Sequence, residues 1–145
     1  KSESYGYNAS FKLIRSPFYS LQINYGYNVH KHRNPEFPYH SGKQGRYSPK
    51  HSASVTQNLL LNQFTFTMGY NYVSSQIRFY SYPNDLYIRE YSLFNFSITQ
   101  NSTILKHRIN NVLSVDNAFN LKYETIYGYP EPGRNYSLKT IIYFN

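Results

Sequence analysis

Apolar and polar side chains alternate at every second position through most of this chain. From Tyr5 to Ile14, the residues Tyr5, Tyr7, Ala9, Phe11 and Leu13 oppose Gly6, Asn8, Ser10 and Lys12. The pattern returns from Tyr19 to His30, where Tyr19, Leu21, Ile23, Tyr25, Tyr27 and Val29 oppose Ser20, Gln22, Asn24, Gly26, Asn28 and His30. A period of two is the signature of a strand, whose side chains leave on alternate faces. Four more segments carry it with interruptions. His51 to Leu61 has Ala53, Val55, Leu59 and Leu61 on one face, broken by Gln57. Phe64 to Tyr72 lines up Phe64, Phe66, Met68, Tyr70 and Tyr72 against Thr65, Thr67, Gly69 and Asn71. Tyr91 to Gln100 sets Phe94, Phe96 and Ile98 against Asn95, Ser97 and Thr99. Ile109 to Asp116 sets Ile109, Leu113 and Val115 on one side, broken by Asn111. A seventh segment runs over 135–145. There Tyr136, Leu138, Ile142 and Phe144 share a face with Thr140, while Ser137, Lys139, Ile141 and Tyr143 point the other way. No sustained 3.6-residue period is present, so the expectation is an all-β chain with no helix longer than about two turns.

The connections alternate in length. Arg15–Pro17, Asn62–Gln63 and Asn101–Arg108 are short, although the limits of the last are not marked by turn residues. Lys31–Pro49, Ser74–Tyr87 and Ala118–Arg134 are long and rich in Pro, Gly, His or Tyr. The segment near Ile77 and Phe79 is a candidate extension of the fourth strand. Short turns at one end and long loops at the other are the habit of outer-membrane barrels. On that reading the short turns are periplasmic and the long loops extracellular.

Composition sharpens the picture. The 145 residues suffice for one domain, and they include 18 Tyr and 10 Phe at a mean hydropathy of −0.64. No stretch approaches the roughly 18 apolar residues of a membrane helix, but a barrel strand is polar at every second position, so low hydropathy is compatible with one. A soluble β-sandwich also alternates and stays open as an alternative, as does a secreted carbohydrate-binding β-protein with exposed Tyr. The polar faces are Ser, Thr, Asn, Gln and Gly rather than a charged mixture, and the segments are long, which favours the barrel. With Cys 0 there is no disulfide framework or thiolate metal site. The net charge of +8 is scattered through turns and loops without forming a basic stripe, so nucleic acid is not the expected partner. No charged-then-apolar leader opens the chain, and for an outer-membrane protein this carries the expectation that it begins partway through a longer precursor.

Candidate chemistry is sparse. His30, His32 and His40 lie near the first long loop, but no carboxylate or Cys stands at tight spacing to complete a metal site, so they read as solvated loop residues. Glu124 and Glu131 have nothing to orient them as an acid/base pair. Nucleophile, phosphate-loop and dinucleotide motifs are lacking, and the expectation is a protein that is not an enzyme and needs no cofactor. Four Asn-x-Ser/Thr triplets, at Asn8, Asn95, Asn101 and Asn135, are no more than such an Asn- and Ser-rich chain produces by chance.

The end of the chain carries a resemblance. Asn117-Ala118-Phe119-Asn120, then Tyr123, then Gly133-Arg134, then a strand closing on Tyr143-Phe144, is similar to the C-terminal end of TonB-dependent outer-membrane receptors. The run Tyr123-Glu124-Thr125-Ile126-Tyr127-Gly128-Tyr129 resembles the vitamin B12 (cobalamin) receptors within that family. Two features depart from the pattern: Asn145 follows the terminal aromatic residue, and the chain has no Trp. The resemblance implies an antiparallel up-and-down transmembrane β-barrel, of which residues 1–145 would be about seven C-terminal strands out of roughly 22. The plug domain and the earlier strands have no counterpart in the sequence. It implies active uptake of a scarce large nutrient (cobalamin, an iron-siderophore or haem) across the outer membrane of a Gram-negative bacterium. A small self-contained outer-membrane barrel or adhesin is the rival. The implied partners are the TonB-ExbB-ExbD energy-coupling complex through the missing plug, the barrel-assembly machinery, the nutrient and outer-membrane lipid. Ligand contacts are then expected from loop residues such as His40, Arg46, Tyr47, Tyr82 and Tyr127. Barrel closure and the assembly signal are expected at Tyr136, Leu138, Ile142, Tyr143 and Phe144.

Overall fold

The computed structural model describes residues 2–15, 17–33, 36 and 38–144, and of His32 only the backbone. Ser16 of the first turn, positions 34, 35 and 37 of the first long loop, and Asn145 lie outside the described residues. In chain order the elements are β1 (Ser2–Arg15), β2 (Tyr19–His32), a one-turn 3-10 helix (Pro38–His40), β3 (His51–Leu61), β4 (Phe64–Val73), β5 (Gln76–Phe79), β6 (Leu86–Ile88), β7 (Tyr91–Ile104), β8 (His107–Asp116), β9 (Glu124–Ile126), β10 (Tyr129–Pro130) and β11 (Asn135–Tyr143). Seven of these form one antiparallel sheet in the order β1-β2-β3-β4-β7-β8-β11. Each strand therefore pairs with its neighbour in sequence among the long strands, which is an up-and-down meander. β1 and β11 are the two edges of an open sheet.

The register keeps every apolar stripe on one face. Phe11 faces Ile23, Ile23 faces Val55, and Val55 faces Tyr70, which faces Phe94. Farther along, Phe96 pairs with Val115 and Val115 with Tyr136, while Ile98 pairs with Leu113 and Leu113 with Leu138. Cross-strand partners share a face, so the seven stripes fuse into one apolar surface. Three polar residues in the stripes align: Gln100, Asn111 and Thr140 are successive partners, and Thr140 Oγ1 donates to Asn111 Oδ1 at 2.8 Å, whereas Gln57 sits between Leu21 and Met68.

Among the described residues no second layer covers that surface. Leu138 is 76 % exposed, Tyr7 58 % and Leu113 54 %, and the buried apolar side chains among the described residues are Val29, Ile77 and Ile88. A sandwich of this size would bury one whole face of each sheet against the other. The described residues thus supply no second sheet with which to form a sandwich. Val29 departs from its stripe. Its alternation places it with Tyr27 and Tyr25, yet it is buried to 2 %, beside loop residues that pair with the end of β2.

The opposite face is a hydrogen-bonded polar wall. Ser10 Oγ donates to Asn24 Oδ1 at 2.7 Å, and Asn24 Nδ2 donates onward to Ser54 Oγ at 3.1 Å. Thr67 Oγ1 donates to Asn58 Oδ1 at 2.7 Å, while Asn58 Nδ2 reaches Ser20 Oγ at 3.1 Å. These links satisfy side chains that would otherwise compete with the ladder.

Two boundaries differ from the sequence expectation. Strand β7 continues through Asn101 to Ile104 and pairs there with His107–Asn110, so the turn is only Leu105–Lys106. Both residues sit in the left-handed region, with φ of 49° and 70°. A tight hairpin demands that geometry, but it normally advertises itself with Asn or Gly, and here it does not. The segment near Ile77 and Phe79 does not extend β4. It pairs with Leu86–Ile88 as a separate two-stranded hairpin. No helix among the described residues is long and apolar enough to cross a membrane, which says nothing about strands.

Candidate functional site

All three long connections leave the same end of the sheet, and two of them fold into small structures of their own. The β5–β6 hairpin occupies the second, and the β9–β10 hairpin the third. β6 lies beside β9. Between these two hairpins is a cavity of about 550 Å3. Its walls include Arg78, Arg89, Lys122, Tyr91, Tyr123 and Tyr127. The Arg78 guanidinium lies 3.3 Å from the centre of the Tyr127 ring, close enough for a cation–π contact. The Tyr91 and Tyr123 rings lie 4.6 Å apart between centroids, tilted by 39°. Two carboxylates also line the cavity, and both are engaged. Glu90 accepts the Tyr72 hydroxyl at 3.1 Å, and Glu124 accepts the Gly128 amide at 3.1 Å. Burial, together with the nearby Glu131 carboxylate, raises the Tyr123 phenol above its ordinary range, so it stays neutral at physiological pH. The cavity therefore presents three cations and two hydrogen-bonded carboxylates among aromatic rings.

A second cluster clasps the first and second long loops. Lys43 Nζ lies 2.9 and 2.8 Å from the two Asp85 oxygens and 3.5 Å from the centre of the Tyr39 ring. The Tyr39 hydroxyl donates to the Ser81 carbonyl and to Asp85 at 3.2 Å, and the Ser81 amide also donates to Asp85 at 3.2 Å. Burial pushes the Asp85 carboxyl up, but Lys43, the Ser81 amide and Tyr39 together outweigh it and hold its pKa below the ordinary carboxylate value. A depressed pKa means that the clasp contributes its full stability above the unfolded-state value and loses it as pH falls through the lower folded value. Amide exchange over residues 38–48 and 80–86 is therefore expected to stay slow from neutral pH down through the ordinary carboxylate range, and to rise only below it. Asp85→Asn should speed exchange wherever Asp85 is ionised in the folded protein and make no difference below that. Exchange that already rises near pH 6 in the unmodified protein would contradict this account of the clasp.

The five loop residues marked from sequence fall into two places. His40 and Arg46 share a small cavity of about 270 Å3 with Phe79 and Tyr80, and the His40 ring stacks on Tyr80 at 4.7 Å. Tyr82 meets Tyr39 edge-on at 5.8 Å and is 83 % exposed. Tyr47 has φ of 54° and donates its amide to the Ile77 carbonyl at 2.8 Å, so its backbone ties the two loops together. Tyr127 stands apart, in the larger cavity. The side chain of His32 lies outside the described residues, and no group of three or more His, Asp or Glu side chains converges among those described. Glu124 and Glu131 brace the β9–β10 hairpin at Gly128 and Thr125. Arg78, Arg89, Lys122, Tyr39, Lys43 and Asp85 are not marked by the sequence, because isolated charges and tyrosines in loops carry no spacing signal.

The terminal motif acquires a physical meaning. Asn117 and Asn120 both have left-handed φ, 48° and 54°. The buried Asn117 side chain donates to the Leu121 carbonyl and accepts the Leu121 amide, each at 2.8 Å. Asn120 Oδ1 accepts the Arg134 amide at 2.9 Å, and a Cβ at Gly133 would stand only 2.6 Å from the same oxygen. The Asn-rich turn and the Gly-Arg pair are thus two halves of one joint at the foot of the third loop. Beyond it, Tyr136, Leu138 and Ile142 face Val115, Leu113 and Ile109. Tyr143 pairs with Arg108, whose guanidinium lies 5.3 Å from its ring, and the Phe144 ring lies 5.2 Å from His107.

No protein-family model matches the sequence, and no curated protein matches it. Solved structures do match the fold. A chain of the FpvAI–pyocin S2 complex superposes with a TM-score of 0.73 at 18 % identity, covering 96 % of this chain and 20 % of its own length. P. aeruginosa FpvA bound to heterologous pyoverdines gives 0.74 at 18 % identity, with 96 % and 19 % covered. The ferric yersiniabactin uptake receptor FyuA from Yersinia pestis gives 0.73 at 18 % identity, with 99 % and 24 % covered. The chain spans a fifth to a quarter of the proteins it resembles. At this identity the likeness speaks for the fold: seven antiparallel strands of the kind that form part of those receptors.

Proposed function

We propose that the chain is the C-terminal part of the wall of a TonB-dependent outer-membrane receptor, and that the whole protein takes up a scarce large nutrient. The observation that carries this reading is the continuous apolar face of a single-layer sheet. Water does not tolerate such a face, whereas lipid covers it without cost. The two open edges support a larger closed barrel, because an unpaired edge in hydrocarbon leaves backbone groups without partners. The likeness to uptake receptors over nearly the whole chain supports the same reading, and so does the terminal motif. On this reading the protein resides in the outer membrane of a Gram-negative bacterium and does no covalent chemistry. The missing plug contacts TonB-ExbB-ExbD, and the final strand is read by the barrel-assembly machinery.

A ferric chelate is the favoured nutrient class, since one of the similar structures holds a pyoverdine–iron complex and another is a ferric yersiniabactin uptake receptor. The cobalamin-type hint in residues 123–129 gains no support from them. Arg78 and Tyr127, paired across the larger cavity, are the loop residues assigned to the arriving ligand. With the complete receptor as the only uptake route in the cell, Arg78→Ala combined with Tyr127→Ala is expected to lower uptake of its labelled ferric ligand by about tenfold, the effect of losing roughly 1.4 kcal/mol of binding. The amount of receptor in the outer membrane should not change. Recovery of the unmodified protein in a detergent-free soluble fraction would overturn the membrane reading itself.

A further inference from the structure

A separate cavity of about 360 Å3 lies where the end of the first long loop meets the β5–β6 hairpin. Lys31, Lys43, Lys50, Asp85, Gln44 and Ile77 are among its walls. Three ammonium-bearing residues and one carboxylate thus line it. Asp85 is fully engaged by Lys43, Tyr39 and the Ser81 amide, so it neutralises Lys43 and has little left to offer the other two. The nearest acid in register with Lys31 is Glu3, and Glu3 pairs with Arg33 at 3.1 Å. Among the described residues neither Lys31 nor Lys50 has an ion pair, so the two bring positive charge to one concavity.

The walls are built rather than loose. Gln44 is 7 % exposed, donates to the Asn28 and Ser48 carbonyls at 3.2 Å each, and accepts the His30 amide at 3.2 Å. Ile77 is 7 % exposed and accepts the Tyr47 amide at 2.8 Å. Like charges held in a fixed cavity repel, and a multiply charged anion removes that repulsion while gaining charge-assisted hydrogen bonds.

We propose that this cavity is a binding site for a phosphate group, either inorganic phosphate or a phosphate monoester, with Lys31 and Lys50 supplying the charge. Two unspent ammonium groups match a dianion better than a single carboxylate, and lysine binds phosphate as a point charge without needing the planar fork of arginine. Lys43 is a wall of the site, held back by Asp85. The cavity has room for the phosphate and a sugar-sized group attached to it. Its place among the long loops allows either a soluble phosphate or the phosphate of a membrane glycolipid as the source. The site shares the wall residue Tyr87 with the Arg78–Tyr127 cavity but none of its charged residues, so nutrient uptake and phosphate binding can fail independently.

The test uses the protein at its native length in neutral detergent, titrated calorimetrically with inorganic phosphate. One saturable site is expected. The Lys31→Ala, Lys50→Ala double variant should weaken binding by about a hundredfold, or roughly tenfold for each ammonium removed. Lys31→Arg with Lys50→Arg should retain it, and Lys12→Ala, on the polar face away from the cavity, should leave it unchanged. Thermal melts of each variant check that the barrel is intact. No saturable binding by the unmodified protein, or equal binding by the double alanine variant, overturns the proposal. Equal weakening in Lys12→Ala also overturns it, by exposing a diffuse charge effect. The source follows from reconstitution into phosphatidylcholine vesicles with and without lipid A. Loss of phosphate binding only with lipid A supports the glycolipid as natural occupant, and binding preserved in both supports a soluble phosphate.

Discussion

Phe66→Arg and Leu21→Arg are each expected to cost about 2 kcal/mol of stability in a bilayer, because each is the third residue of its strand, short of the midplane where a lipid-facing Arg costs about 2–4 kcal/mol. Phe66 lies between Leu59 and Ile98 in register, and Leu21 pairs with Leu13, all on the apolar face. One residue along each strand the outcome reverses. Gln22 belongs to the polar face, where its amide donates to Asn24 Oδ1 at 3.3 Å, and Gln22→Arg should be close to neutral. Thr67→Arg loses the 2.7 Å hydrogen bond to Asn58 and should cost about 1 kcal/mol. Urea unfolding of the complete receptor in phosphatidylcholine vesicles measures all four. A similar loss for both members of a pair would mean that lipid does not cover the apolar face.

Removal of residues 142–145 should have the larger consequence in the cell. It deletes the pairs Ile142–Ile109 and Tyr143–Arg108, the Arg108 contact to the Tyr143 ring and the Phe144 contact to His107. β11 is an edge of this sheet, so in a closed barrel it bridges to another strand on its far side. Shortening it leaves backbone groups of both neighbours unpaired in hydrocarbon, at several kcal/mol each. Closure should fail, and the receptor should be degraded or held in the periplasm. Loss of Asn145 alone, which lies outside the described residues, should have little effect. Quantifying the receptor in outer-membrane fractions distinguishes these outcomes. An unchanged amount after the four-residue deletion would show that β11 is not a closing strand.

The strands and their faces are legible in the sequence alone, because a strand with one apolar and one polar side writes its environment directly into a period of two. Every stripe from Tyr5 to Phe144 stays on one face in the sheet, and even Gln100, Asn111 and Thr140, which break the stripes, fall into one row. The Leu105–Lys106 turn is not legible. Register through Asn101–Ile104 forces two left-handed residues there, and neither residue type announces that conformation. The burial of Val29 is hidden for a related reason: alternation reports which side a residue faces, not whether a loop folds over it.

Local sequence thus determined the seven long strands, their order and the division into an apolar and a polar face, since each depends on neighbours one or two residues away. Only the tertiary structure decided that none of the described residues forms a layer over the apolar face, as a sandwich would require. It alone gathered Arg78, Tyr127 and Lys122 into one cavity and Lys31, Lys43 and Lys50 into another. Those groupings depend on where three loops of unrelated sequence return in space. A loop holds its shape through bonds such as Lys43–Asp85 and Asn120–Arg134, between residues 42 and 14 positions apart. Contacts at such separations leave no periodic trace along the chain.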